Sequence, residues 1–277
     1  MQRAIKPIIR YPGSKGRMAA YIIDHFPNHT HYIELYFGSG IVMLNKARVA
    51  HEVINDLDDN VVNLFRVIRD AGDQLAALVE MTPYARSEYA LCKAERVDDP
   101  IEQARRFVVQ CWQGHGSSAG GRGSGWKNGG VHGDKQLCAQ TWCAIPERIR
   151  AVIERMRGVE IENRPALEVI ARFGTADTLI YADPPYPKSV RSGRLYSEDD
   201  MTDTDHIALL DTLNAYRGPV VLSGYACDLY QQRLPHWARR TFDTTDAKGQ
   251  YKQEIVWLNQ TCIDRLGYGP LFNQDLL

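Results

Sequence analysis

The chain has 277 residues, 44% hydrophobic and 24% charged, with 33 Lys and Arg against 34 Asp and Glu for a formal net charge of −1. That length supports one substantial core plus a smaller inserted or appended unit, and near-neutrality excludes a global basic field, so an anionic partner must be met by local charge. The sequence has no apolar run near the ~18 residues of a membrane span and no secretory h-region at its start, and its six cysteines form no C-x-x-C pair; a cytoplasmic protein with reduced thiols, no metal site and no membrane partner is expected.

Tyr32 to Phe37, YIELYF, reads as a strand, GSG as a turn, and IVMLNKARVA from Ile41 as an apolar-periodic helix. His51 to Asp56, HEVIND, reads as a second strand ending on an acid, and DDNVVNLFRVIRD as the helix after it. Two successive β-α units imply a parallel sheet. From about Gly72 to Arg157 the pattern turns mainly helical, in segments such as SEYALCKAE and PIEQARRFVVQCWQ, and encloses a glycine-dense loop from Gly114 to Gly133. Strands resume at Val159 to Asn163, Thr178 to Asp183, Pro219 to Tyr225 and Glu254 to Gln260, with a helix over Asp205 to Tyr216. The expectation is a doubly wound α/β domain, residues 1–71 and 158–277, split around a helical domain, residues 72–157.

In such a sheet ligands sit beyond the carboxyl ends of the strands, so YFGSG, NDLDD and the end of TLIYADPPY would face one crevice. Gly38 and Gly40 would let backbone approach a ligand, and Asp56 follows at the spacing of an acid that binds a ribose diol. The plain alternatives are a tight turn and a helix N-cap. A nicotinamide fingerprint would need a third glycine where Met43 stands. Asp183 ends its strand, and Pro184 and Pro185 fix φ and remove two donors, leaving an acceptor-rich turn beside the aromatic Tyr186. The alternative is turn chemistry with a packed tyrosine. One carboxylate plus carbonyls beside a ring suits a planar group bearing NH2, such as a nucleobase amine. Accepting its hydrogens would restore the nitrogen's nucleophilicity for direct attack on a sulfonium methyl, and a duplex base would have to flip out. No proline precedes a cysteine, which disfavours carbon-5 cytosine chemistry.

Four blocks, RYPGSK (Arg10 to Lys15), YIELYFGSG (Tyr32 to Gly40), VINDLDDN (Val53 to Asn60) and ADPPY (Ala182 to Tyr186), occur in one order with LYSEDDMTDTDHIALL, VVLSGY and EIVWLN after them. Together they make the chain resemble the Dam-like, adenine-specific DNA methyltransferases. The resemblance implies a Rossmann-like methyltransferase sheet with an inserted, mainly helical target-recognition domain, S-adenosylmethionine as cofactor and double-stranded DNA as partner. It places Tyr11, Lys15, Gly38, Gly40, Asp56 and Asp183 at the cofactor, and Asp183, Pro184, Pro185 and Tyr186 at the target base. Arg164 and Pro165 stand where the family has an acidic-aromatic pair, and the glycine-rich loop replaces the FN-x-P-x-G hairpin of the GATC readers, which leaves the recognised sequence open. Arg122, Trp126 and Lys127 in that loop are the expected DNA contacts, because glycine flanks give them reach. Arg105 and Arg106 read instead as a solvated helix face paired with Glu102 and Asp99. A cytosine amino group or an RNA base as target, and a silent nucleotide-binding regulator, stay open at this point.

Overall fold

A computed structural model describes residues 4–94, 96–115, 125–127, 138–187, 201–245 and 251–267. The described strands β1 (His31–Glu34), β2 (His51–Asn55), β3 (Glu160–Glu162), β4 (Thr178–Ala182), β5 (Val220–Tyr225), β6 (Ala238–Thr245) and β7 (Tyr251–Leu258) form one sheet in the order β3-β2-β1-β4-β5-β7-β6. β1 to β5 pair in parallel, and β7 runs antiparallel to both its neighbours. The chain steps outward from β1 to β3 and then returns to lay β4 on the other side of β1. That reversal is a topological switch point, where the loops after β1 and β4 part and leave a crevice.

The central strands are short apolar runs because helices cover both faces. Alternate residues divide between two cores: Tyr32, Ile54 and Tyr181 face α1 (Ala19–Ile23), α2 (Ile41–Asn45) and α3 (Asp59–Met81), whereas Ile33, Val53 and Ile180 face the helices α8 (Ala166–Phe173), α9 (Asp203–Ala215) and α10 (Asp228–Arg233). Between them in sequence lie α4 (Arg86–Ala94), α5 (Pro100–Gln113), α6 (Cys138–Trp142) and α7 (Ile145–Met156), of which α5 and α7 pack along α3 and extend the first core; α11 (Gln260–Leu266) ends the described chain.

The expected elements shift in four places. α2 stops at Asn45 because Lys46 turns extended and sends its ammonium inward to the Ala47 carbonyl and Glu52, each at 2.7 Å. α3 runs past residue 71 but bends there: Ala71 has φ −144° and ψ 31°, and a Cβ on Gly72 would lie 2.6 Å from Ile153 of α7, so this glycine permits the close packing of the two helices. β6 was not anticipated, because ARRTFDTT pairs only with β7 at the sheet edge and carries no apolar run. Arg105 does not lie on a solvated face. It is 8% exposed and is held by Glu102, Glu88 and the Thr82 hydroxyl, while Arg106 pairs with Glu102. Asp99 is no ion-pair partner but the N-cap of α5, accepting from the Ile101 and Glu102 amides.

Glu52 fastens this helical layer to the sheet. Buried on β2, it accepts from Lys46 and from Arg155 of α7, whose other contact is the Met43 carbonyl at 2.8 Å. Burial works against its charge, but the hydrogen bonds from Arg155 and Lys46 prevail and hold the carboxyl below its ordinary value. Such a group stabilises the fold above its unfolded pKa and loses that contribution as pH falls through the folded one. Glu52→Ala, which strands two cations, is expected to lower the unfolding free energy by about 3–5 kcal/mol in urea titrations at pH 7. The deficit should shrink in acid, where the wild-type carboxyl is itself protonated.

Candidate active site

The crevice at the switch point is walled by the segment from Tyr11 to Lys15, by the turn after β1, and by Asp183 and Pro185 after β4, with Asp56 at the end of β2. Gly38 and Gly40 both have positive φ, +50° and +66°, a region that L side chains rarely enter. At Gly38 a Cβ would stand 2.9 Å from Tyr11 Cδ1, so the Tyr11 ring lies against bare backbone, and its hydroxyl donates to Asp58 at 3.3 Å. Gly40, the left-handed N-cap of α2, sits against the Phe37 ring, where a Cβ would come within 2.3 Å. It shapes the turn from behind and does not line the crevice. Asp56 accepts from the Gly38 amide at 2.7 Å and from the Asp58 amide at 2.9 Å. The N-cap of α3 is Asp58, not Asp56. Burial pushes the Asp56 carboxyl up to about 6 against these hydrogen bonds, and each oxygen keeps a lone pair for a further donor.

At the other end a polar cluster is buried around Lys15, which is 4% exposed. Its ammonium has three protons and three near acceptors: Asp183 Oδ1 at 2.8 Å, the Tyr186 hydroxyl at 2.5 Å and the Gly13 carbonyl at 3.1 Å; Glu254 of β7 stands at 3.5 Å. Burial opposes its charge, yet Asp183, Tyr186 and Glu254 together raise its pKa, so it stays an ammonium. Ser223 of β5 donates to Asp183 Oδ1 at 2.8 Å. Its one proton being committed, the 3.0 Å contact with Tyr181 must be a hydrogen bond donated by the tyrosine. Oδ1 therefore receives two donors, and Oδ2 is the carboxylate oxygen left for the crevice. Tyr186 is buried, with its ring centroid 4.4 Å from that of Tyr225 and its hydroxyl directed to Glu254 at 3.4 Å. Burial raises both the Tyr186 and Glu254 pKa values, the latter against the pull of Lys15. Pro184 is buried behind the turn, and Pro185 lines it.

Compared with known families, the sequence matches the D12 class N6 adenine-specific DNA methyltransferases over residues 11–247. The chain belongs to that family. It is a DNA adenine methyltransferase, and of the candidates read from sequence, Tyr11, Lys15, Gly38, Asp56, Asp183 and Pro185 meet at one crevice. No curated protein matches the chain.

The methyltransferase's crevice and the cluster around Lys15 also contain groups that sequence reasoning passed over. Ser223 and Glu34 each interrupt an apolar strand, a signal that was available. Glu254 gave none, because nothing in the sequence joins it to Lys15. Of the expected DNA contacts, Trp126 is half-buried, with Arg86 4.9 Å over its ring and Tyr84 5.6 Å away. The Lys127 amide donates to the Gln113 carbonyl and its carbonyl accepts from the Tyr84 hydroxyl. Neither residue lines the crevice, and Arg122 lies outside the described residues.

Glu34, at the floor of the crevice, is 2% exposed and accepts from the Tyr32 hydroxyl at 2.7 Å and the Met43 amide at 3.1 Å. Burial, with Asp183 adding to it, pushes its carboxyl up to about 8. The folded protein thus keeps a proton that the unfolded chain releases above pH ~4.5, and stability should fall between those values by up to ~1.4 kcal/mol per pH unit. Glu34→Gln removes that titration. Its stability relative to wild type, measured by urea unfolding at a series of pH values, is expected to rise steadily from pH 5 to 8.

Proposed function

We propose that S-adenosylmethionine occupies the crevice between Asp56 and Lys15, that an adenine flipped from duplex DNA enters beside Asp183, and that residues 72–157 serve target recognition within a catalytic domain of residues 1–71 and 158–277. The donor set suits the cofactor: an acid with spare lone pairs for a ribose diol at one end, apolar walls from Phe37, Ile41 and Val42, and charged groups for an amino-acid moiety at the other. Tyr11, Lys15, Gly38 and Asp56 would hold it, with Gly40 fixing the turn. When bound, the cofactor supplies an electrophilic methyl group on a sulfonium centre.

The observation that carries this reading is the division of labour on Asp183. Lys15 and Ser223 both anchor Oδ1, so Oδ2 and the Pro184 carbonyl can accept the two amine hydrogens of the flipped base. Their pull directs the nitrogen lone pair out of the ring, toward the methyl group. Oδ2 is then placed to take the proton that the nitrogen sheds after transfer. Tyr186 and Pro185 bound the base site, and Tyr186 is kept in place by Lys15 and Glu254. Arg122, Trp126 and Lys127 contact the DNA, with Trp126 steadied by Tyr84 and Arg86.

Asp183→Asn keeps an acceptor for Ser223 and loses the charge. It is expected to reduce methyl transfer to adenine by about 10²–10⁴-fold, the usual effect of losing one positioned proton acceptor, with a lowered melting temperature because Lys15 loses its nearest counter-charge, but with the protein still folded at assay temperature. Transfer of labelled methyl from S-adenosylmethionine to mixed-sequence duplex DNA, followed by nucleoside analysis, reads this directly; undiminished turnover would remove Asp183 from the mechanism. The double variant Trp126→Ala, Lys127→Ala is expected to weaken DNA binding at least several-fold while cofactor affinity, measured by calorimetry, is unchanged.

A further inference from the structure

One basic cluster beside the crevice has no part in methyl transfer. Trp112 of α5 is 6% exposed and its indole N–H donates to the Ile8 carbonyl at 2.5 Å. Its ring carries two guanidinium groups, Arg10 at 4.5 Å and Arg148 of α7 at 4.9 Å from the centroid. A single arginine on an indole is attracted to the ring face. Two of them on one ring hold two like charges close together, an arrangement that repels itself unless something negative lies nearby.

Nothing negative is supplied by the described residues. Arg105, Arg106, Arg150 and Arg155 in the same helical layer each have a carboxylate within 4 Å, whereas neither Arg10 nor Arg148 has one among the described residues. Arg148 donates to the Pro7 carbonyl at 3.1 Å, and its Nε is buried with no partner among the described residues. Burial, and then Arg10, lower its pKa, as expected of a cation that lacks a counter-charge. Both side chains are half-buried and therefore reachable from solvent. Neither lines the crevice, which argues against a role in binding the cofactor's carboxylate. Yet Arg10 directly precedes Tyr11, whose ring rests on the Gly38 turn, so the pair stands at the crevice rim. Tyr84, within electrostatic reach of Arg10, donates to the Lys127 carbonyl and links the pair to the Trp126 and Lys127 strip.

Resting on the reading of the crevice as a site for flipped adenine, we propose that Arg10 and Arg148, held on Trp112, form a phosphate clamp for the target strand of the DNA. Planar guanidinium forks match the non-bridging oxygens of a phosphodiester, and an indole that fixes both planes beforehand reduces the entropy lost on binding. A clamp one residue from the crevice wall would hold the backbone on which the target nucleotide turns. It would carry no sequence preference of its own, because phosphate contacts position the duplex without reading it.

That last property makes the test independent of the unknown target sequence. Binding of a fluorescent mixed-sequence duplex to the full chain is measured by anisotropy from 50 to 300 mM salt for wild type, Arg10→Gln, Arg148→Gln and the double variant. Each lost phosphate contact should reduce the slope of log affinity against log salt by about 1, and the double variant by about 2. Affinity near 100 mM salt should fall at least several-fold, with S-adenosylmethionine affinity by calorimetry within twofold of wild type. Arg148→Gln also loses the Pro7 contact; should it melt early, Arg10→Gln and Arg148→Lys decide, the first expected to reduce the slope by about 1 and the second to preserve it. An unchanged slope and affinity in folded Arg10→Gln would overturn the proposal, as would lost cofactor affinity with DNA binding intact. These outcomes are separate from the fate of the methyl-transfer reading, which stands or falls on turnover in Asp183→Asn.

Discussion

The mouth of the sheet is organised around one ion pair, Lys15 Nζ to Asp183 Oδ1 at 2.8 Å, sealed from water on the lysine side. A buried pair of this kind is poor evidence for stability, since desolvating both charges offsets most of their attraction. It persists only where the remaining donors and acceptors are satisfied, and here they are: Gly13 and Tyr186 take the other ammonium protons, and Ser223 supplies the second donor to Oδ1. The partners of the pair come from the segment before β1, from the turn after β4, from β5 and, through Glu254 at 3.5 Å, from β7, so one ion pair registers four parts of the chain against each other. The rigidity of the D-P-P-Y turn thus has two sources. Two prolines fix its backbone, and Lys15 fixes the acid and the tyrosine on either side of them.

The opposite end of the crevice is fixed by backbone instead of charge. Parallel strands bring the ends of β1 and β2 side by side, and the Asp56 carboxylate takes the Gly38 amide across that gap. Only a residue without Cβ allows Tyr11 to lie on the same turn from the other side. The glycine is needed for close approach by a side chain of this chain as well as by a ligand, which a reading of the turn as a bare ligand cradle overlooks. One segment, Tyr11 to Lys15, therefore spans the crevice: its aromatic end rests on the glycine turn and its ammonium end on the acid of β4.

Much of this was legible in the sequence because the features that place the crevice are local. A strand buried on both faces must be an apolar run, so β1, β2, β4 and β5 stand out, and the glycine turn and D-P-P-Y follow them directly. The run from Pro100 to Gln113 stands out as α5 for the same reason, whereas Asp99, read as an ion-pair partner, is its N-cap. The losses are all non-local or compensated. β6 is polar because an edge strand has one bonded neighbour and a wet face. Lys46 ends α2 early because Glu52, on the next strand, draws its ammonium in. Arg105 reads as surface until Glu88, from a different helix, joins Glu102 to neutralise it. Ser223 and Glu254 matter only through Asp183 and Lys15, and those contacts cross 40 and more than 200 positions of chain.

Near-neutral charge poses a problem for a protein that acts on DNA, and the fold answers it by sorting its arginines. Those of the helical layer that meet acids are neutralised within it, where they join α5 to α4, α7 to α3 and α7 to β2. Their positive charge is thereby spent inside the fold, whereas that of Arg10 and Arg148, which no carboxylate among the described residues meets, stays on the indole beside the crevice. Two arginines engage few phosphates, so their share of the sequence-independent affinity and of its salt dependence should be modest. Discrimination must then come from the groups that read base edges and from the cost of extruding the adenine, rather than from electrostatic grip. A weakly held duplex is one that can be searched quickly, and the clamp acts where the nucleotide turns, which is where positional accuracy matters for a nitrogen that must meet a methyl carbon in line.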